Sequence, residues 1–190
     1  MKKKWFTRSN IFNAIFLLIL VVVIINPTAK SYVIRGLMKI GLFQPSVPTT
    51  AGEHMPDASF SDESGQMMSI TGMQGKVILL NFWATWCPPC RAEMPSLDAL
   101  YQDFKGNNQL VFVAVDADSD LVKARRFLEE HNYTLPVYAA TTAIARDVYN
   151  GTLPTTIVID KKGNIRARYT GAKDYTNTDF KKFLSALLAE

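Results

Sequence analysis

The sequence predicts an α/β fold in which a central mixed sheet is flanked by helices. Three features point there: apolar strand runs alternate with amphipathic helical stretches, a strand hairpin lies near the C-terminus, and the 190 residues suit one ordinary domain plus a tail. The strongest strand is Val77-Ile78-Leu79-Leu80-Asn81-Phe82-Trp83, a nearly continuous apolar run of the kind found where both faces are covered. After Cys87-Pro88-Pro89-Cys90, residues Met94, Leu97, Leu100, Tyr101 and Phe104 share one face of a helix. Prolines are tolerated at its first positions, where no NH is missed, whereas Pro95 is expected to kink it. Leu110 to Val115 form a second strand, followed by a helical stretch from Asp120 to His131 with Leu121, Ala124 and Leu128 on one face. Such alternation implies parallel strands, right-handed crossovers and chemistry just beyond the strands' carboxyl ends.

Residues 142 to 149 are compatible with a further helix. Thr155 to Ile159 read as a strand, 160 to 164 as a turn and Ile165 to Thr170 as the hairpin partner. Phe180, Phe183, Leu184, Leu187 and Leu188 give a C-terminal helix one apolar face, with Asp179 in its first turn. Upstream, Ala58 to Phe60 and Gln66 to Ile70 flank Asp62-Glu63-Ser64-Gly65, an extra N-terminal β-hairpin. No internal repeat interrupts this order.

The net charge of +4 divides unevenly: residues 1–50 carry +7 with no acid at all, and residues 51–190 carry −3. A nucleic-acid-binding domain would gather its basic residues on a folded face, so nucleic acid is not an expected partner. The basic residues instead precede an apolar run. Lys2, Lys3, Lys4 and Arg8 stand before Ile11 to Ile25, where Asn13 is the sole polar residue, and Asn26 and Pro27 end the run. The segment is a secretory signal or a membrane anchor; Pro27-Thr28-Ala29-Lys30 is a poor cleavage site and favours an uncleaved anchor over residues 1–30. The flanking charge places the N-terminus inside and the remainder across the membrane. Val33, Ile34, Leu37, Met38 and Gly41 are spaced as one stripe of a helix over 31–43, expected to lie on the outer membrane surface or, alternatively, to pack on the domain. Pro45, Pro48 and residues 49–52 read as a linker, so 31–51 form a juxtamembrane segment and 52–190 the folded domain.

The two cysteines, Cys87 and Cys90, are too few for a disulfide scaffold. C-x-x-C is also half of a zinc site, but the other half is missing, since His54 and His131 are isolated. Asp116, Asp118 and Asp120 imitate the start of a calcium loop and fail it, with Leu121 where Gly is required and Phe127 where the bidentate Glu belongs. What remains is a dithiol at the junction of a strand and a helix. Cys87 falls at the helix N-cap, where free NH groups and the helix dipole favour thiolate. Because Pro88 and Pro89 have no NH, Cys90 is the first possible donor to the Cys87 sulfur. Cys87 is therefore the expected nucleophile and Cys90 the resolving thiol. Glu93 lies on the face of Cys90, either as a proton acceptor or as a solvated acid complementing the helix dipole. Pro154 stands at a strand entry, where a trans bond is ordinary and a cis bond would leave the Leu153 backbone open to an extended substrate.

Phe82-Trp83-Ala84-Thr85-Trp86-Cys87-Pro88-Pro89-Cys90-Arg91-Ala92-Glu93-Met94-Pro95, with Leu153-Pro154-Thr155-Thr156 downstream, resembles membrane-tethered thioredoxin-like proteins of the TlpA/ResA type. The resemblance covers about residues 52 to 190. It implies a thioredoxin-like fold, extracytoplasmic or periplasmic exposure, and thiol-disulfide exchange in the reducing direction, with no cofactor beyond the Cys87–Cys90 disulfide. It further implies an active-site acid at Glu93, a cis-proline at Pro154, and substrate contacts at Trp86, Leu153 and Thr155. A membrane thiol relay would be the electron donor, and exported proteins with disulfides, such as apocytochrome c, the substrates. Where ordinary thioredoxins carry a buried Asp, this chain has Asn81, which cannot accept a proton and leaves Glu93 as the candidate. Competing readings are a disulfide-donating oxidase of the same fold, a peroxidase, and a thiol-based metal-binding or metallochaperone module.

Overall fold

The computed structural model describes residues 8–47, 52–146 and 148–190. Its elements are α1 (Arg8–Ile25), α2 (Pro27–Lys39), β1 (Ser59–Ser61), β2 (Met67–Ser69), β3 (Val77–Trp83), α3 (Pro88–Phe104), β4 (Leu110–Asp116), α4 (Leu121–Glu130), β5 (Val137–Ala140), β6 (Thr155–Ile159), β7 (Ile165–Thr170) and α5 (Thr178–Ala189). The seven strands form one mixed sheet in the order β2-β1-β5-β4-β3-β6-β7. β3 pairs parallel with β4 and antiparallel with β6, while β4 and β5 are parallel. The expected C-terminal hairpin is β6–β7, and the expected N-terminal hairpin is β1–β2, joined through β1 to the β5 edge.

Every residue of β3 is buried, so the strand's alternation assigns its side chains to two cores. Val77, Leu79 and Trp83 join a cluster with Met94, Leu97 and Leu100 of α3, Phe127 and Leu128 of α4, and Phe180 and Leu184 of α5. Ile78, Leu80 and Phe82 face Phe60, Val113, Val115 and Ile157, and this side is closed by Met55, Ile70, Met73 and Val148. Asn81 belongs by parity to the α3 side, a polar residue in an apolar row.

Two expectations are corrected. Residues 142–149 form no helix among the described residues (Asp147 is not described). Tertiary partners take the local polar groups instead: Thr142 Oγ1 accepts from the Ser59 NH at 3.0 Å, and the Val148 carbonyl accepts from Arg168 at 3.1 Å. Val137–Ala140, immediately upstream, is a strand that the sequence pattern does not predict.

The second correction concerns the juxtamembrane segment. α1 is 18 residues with no buried side chain, long and apolar enough to cross a membrane by length and composition. Lys2, Lys3 and Lys4 lie outside the described residues, as do residues 48–51 of the expected linker. Asn26 caps α2 by accepting from the NH groups of Thr28 and Ala29, and Pro27 occupies the first turn. The helix thus starts at 27 rather than 31, and it packs on the domain, one of the two placements expected for it. Its apolar stripe finds a partner there: Met38 is buried with Ala92 and Ala172, and Ile34 and Phe43 pack beside them. The chain beyond α2 is pinned as well, since the Phe43 carbonyl accepts from the Asp174 NH at 2.9 Å and the Ser46 carbonyl from the Tyr169 hydroxyl at 2.7 Å.

Leu80 is fully buried at the centre of the second core. Leu80→Ala is expected to lower unfolding free energy by about 2 to 5 kcal/mol, read as a shift of the urea midpoint at constant slope.

Candidate active site

β3 ends at Trp83, and four residues later α3 begins with Cys87 as its N-cap. Cys87 has extended backbone angles (φ −80°, ψ 110°), and its Sγ accepts from the Cys90 NH at 3.3 Å. Pro88 and Pro89 fill the first two helical positions without an NH, so the first available donor points at sulfur. The two cysteines are joined as a disulfide with Cα atoms 5.3 Å apart. Cys90 is fully enclosed while Cys87 keeps a trace of exposure, which makes Cys87 the sulfur an incoming partner meets first.

Trp86, beside Cys87, is 54% exposed, and its Nε1 donates to Asp118 Oδ2 at 2.8 Å. The three aspartates that imitated a calcium loop have separate tasks. Asp116 accepts from the Asp120 NH at 2.8 Å, Asp118 holds Trp86, and Asp120 caps α4 through the Lys123 NH at 3.0 Å. Burial raises the Asp116 carboxyl above its ordinary value. The histidines lie apart from one another: the His54 backbone forms an isolated antiparallel bridge with Asn164, and His131 Nδ1 meets the Phe127 carbonyl at 2.8 Å.

The Leu153–Pro154 peptide bond is cis. β6 runs antiparallel to β3 with Thr155 opposite Phe82, so Leu153 and Pro154 reach the same end of the sheet as the cysteines. Leu153 is half-buried and packs against both cores. Thr155 departs from the expectation of a substrate contact. It is buried, and its hydroxyl donates to the Thr152 carbonyl at 2.8 Å, which braces the turn carrying Leu153.

One turn along α3 from Cys90, Glu93 belongs to a buried polar chain. Asn81 Nδ2 donates to Glu93 Oε1 at 2.8 Å and to Thr156 Oγ1 at 2.9 Å, and Thr156 Oγ1 also accepts from Tyr175 OH at 2.6 Å. The Lys173 NH donates to Glu93 Oε2 at 3.2 Å. Register explains the arrangement, since Thr156 is the residue directly opposite Asn81, and Asn81 points to the α3 face where Glu93 sits one turn beyond Cys90. Loss of water outweighs these two donors, and the Glu93 carboxyl is pushed up to about 8 from its ordinary 4.5. It is not the solvated acid of the alternative reading. Tyr175 is raised well above its ordinary value by the same burial, with the Glu93 charge adding to it.

The structure places Cys87, Cys90, Trp86, Leu153 and Pro154, all singled out in the sequence, at one end of the sheet with Glu93 one turn further along α3, and adds Asp118, Lys173 and Tyr175, which the sequence does not connect to them. Those three lie 32, 80 and 19 residues from their respective partners Trp86, Glu93 and Thr156, so no local pattern announces them.

The redoxin family pattern matches residues 50–187. The thioredoxin-like protein YneN of Bacillus subtilis is 36% identical over 123 residues, 63% of this chain and 71% of that one. The thiol-disulfide oxidoreductase ResA of Geobacillus thermodenitrificans is 32% identical over 146 residues, 76% of this chain and 82% of that one. Among solved structures, a thiol:disulfide interchange protein of the thioredoxin family from Chlorobium tepidum superposes with a TM-score of 0.59 at 26% identity, covering 75% of this chain and 98% of its own.

Glu93 generates a stability prediction. The folded chain keeps this proton up to about pH 8 and the unfolded chain releases it near 4.5, so stability falls as pH rises through that window. The oxidised wild type is expected to lose on the order of 2 to 4 kcal/mol relative to Glu93→Gln between about pH 5 and about pH 8, measured by urea unfolding.

Proposed function

The chain belongs to the redoxin family, as a thiol-disulfide oxidoreductase of thioredoxin-like fold, and from that premise we propose a membrane-anchored, extracytoplasmic reductase of disulfides in exported proteins, apocytochrome c among the candidates. The observation that carries the chemistry is the Cys87–Cys90 disulfide at the α3 N-terminus with a buried carboxyl one turn further along the same helix. The apolar α1 helix supports the anchor, and a membrane thiol relay would return electrons to the pair.

In the reduced chain Cys87 is the nucleophile, its thiolate favoured by the Cys90 NH and the positive end of α3. It attacks one sulfur of the substrate disulfide. The substrate S–S bond breaks, a Cys87–substrate bond forms, and the released thiolate takes up a proton. Cys90 then loses its proton and attacks Cys87 Sγ, which expels the second substrate sulfur and forms the disulfide seen here. Two electrons have passed to the substrate.

Glu93 serves Cys90 as proton acceptor in this direction. A carboxyl pushed up to about 8 holds a proton far more firmly than an ordinary one, and its ionised fraction, which grows as pH rises toward that value, is the form that takes the Cys90 proton. In the oxidised chain at neutral pH Glu93 holds the proton and can return it to Cys90 when a donor opens the disulfide. Asn81 suits both states. Its Nδ2 serves the carboxylate, and its unpartnered Oδ1, brought round by rotation of the amide, accepts from the neutral acid. Trp86 and Leu153 flank Cys87 as the surface on which a substrate chain rests.

Two measurements test this reading. Cys90→Ser is expected to trap a mixed disulfide with a substrate peptide and Cys87→Ser to trap none, while Glu93→Gln slows resolution at least about tenfold near pH 7. Equilibration in a thiol redox buffer is expected to place the pair near about −270 mV or lower; a value near −120 mV would make the chain a disulfide donor instead.

A further inference from the structure

α2 is tied to the active-site helix by contacts that a passive tether would not make. Pro95 has no NH to give to the carbonyl of Arg91, one turn before it in α3. Arg35 of α2 supplies the missing donor, its Nη2 reaching the Arg91 carbonyl at 2.8 Å and the Tyr133 hydroxyl at 3.2 Å. The Arg91 side chain answers in the other direction. Its Nη2 donates to Thr28 Oγ1 in the first turn of α2 at 3.0 Å, and its Nη1 donates to the Thr85 carbonyl, two residues before Cys87, at 3.3 Å. Its guanidinium also lies 5.1 Å from the centre of the Phe127 ring. Thr28, Arg91 and Thr85 thus connect the start of α2 to the active-site loop in two hydrogen bonds.

The junction with α1 is equally short. Asn26 is the single residue between the helices, and its NH bonds to the Val22 carbonyl while its own carbonyl accepts from the Lys30 NH. No loop separates the apolar helix from the docked one. Pro27, Thr28 and Trp86 line one cavity of about 460 Å³, so the α1 end of the domain is also the Trp86 end, and the three cations of its lining, Arg91, Lys123 and Arg126, outnumber its one acid, Glu130.

We propose that α2 is a rigid bracket that holds the Cys87 edge of the domain against the membrane surface, so that its redox partner is a protein presenting cysteines at the level of the lipid headgroups. This rests on the anchored oxidoreductase reading above and adds an orientation to it. Fixing two reactants at one surface raises their effective concentration only when the geometry lets them meet, and the bracket supplies that geometry.

The test uses the full chain in vesicles of phosphatidylethanolamine and phosphatidylglycerol, pre-reduced. Its single-turnover rate is measured on a disulfide peptide free in solution and on the same peptide joined to a lipid by a short linker. Arg35→Ala with Met38→Asp breaks the bracket. A Gly-Ser segment inserted between Ile25 and Asn26 leaves the bracket intact but frees the domain from α1. Both variants are expected to keep the free-peptide rate and to lose about tenfold on the lipid-joined peptide. The insertion variant decides if the double substitution impairs folding, which the free-peptide rate reveals. An unchanged ratio of the two rates in the insertion variant overturns the bracket while leaving the reductase reading intact. Failure of the wild type to reduce the free peptide, or to float with the vesicles, overturns the reading on which the bracket rests.

Discussion

A carboxyl group without access to water lies one turn along α3 from Cys90, and its need for partners organises the middle of the domain. Glu93 cannot be ionised there cheaply, and it cannot be left without hydrogen bonds. Asn81 interrupts the apolar row of β3 to meet it, Thr156 stands opposite Asn81 on β6, Tyr175 closes the chain, and the backbone at Lys173 turns an NH inward. Asn81 comes from β3, Thr156 from β6, and Lys173 and Tyr175 from the segment before α5, so the two central strands, the redox helix and that segment must all be in register before the acid is satisfied.

The same register delivers the chemistry. β3 hands the chain to α3 at the sheet's carboxyl end, the prolines at 88 and 89 reserve the first NH for the Cys87 sulfur, and the antiparallel β6 brings Leu153 and Pro154 to that end. The helix terminus favours negative charge at Cys87, and a buried carboxyl pushed up to about 8 stands one turn beyond Cys90. A neutral carboxyl and a carboxylate differ in whether they donate, and an amide at 81 can serve either, which an aspartate there could not do as simply.

What the sequence disclosed follows contact range. β3, the C-x-x-C helix start and α5 are written in consecutive residues, and they were read at nearly their observed bounds. Glu93 was legible because it shares a helical face with Cys90, but its burial was not, since that depends on Lys173 from the other end of the chain. Val137–Ala140 is only four residues long and owes its strand form to β1 and β4 on either side. Residues 142–149 carry helical spacing that tertiary hydrogen bonds override. The amphipathic stripe after α1 was visible, but its partner was not: Arg35 meets a carbonyl 56 residues away, one that Pro95 leaves open.

The account turns on Glu93 holding its proton in the oxidised chain at neutral pH. The direct measurement is the ¹³C chemical shift of the Glu93 carboxyl carbon, assigned by comparison with Glu93→Gln and followed as pH is raised. A single titration with its midpoint near about 8 is the expected result. A midpoint near the ordinary 4.5 would show a carboxylate at neutral pH in the oxidised chain, with no proton to return to Cys90 when the disulfide opens.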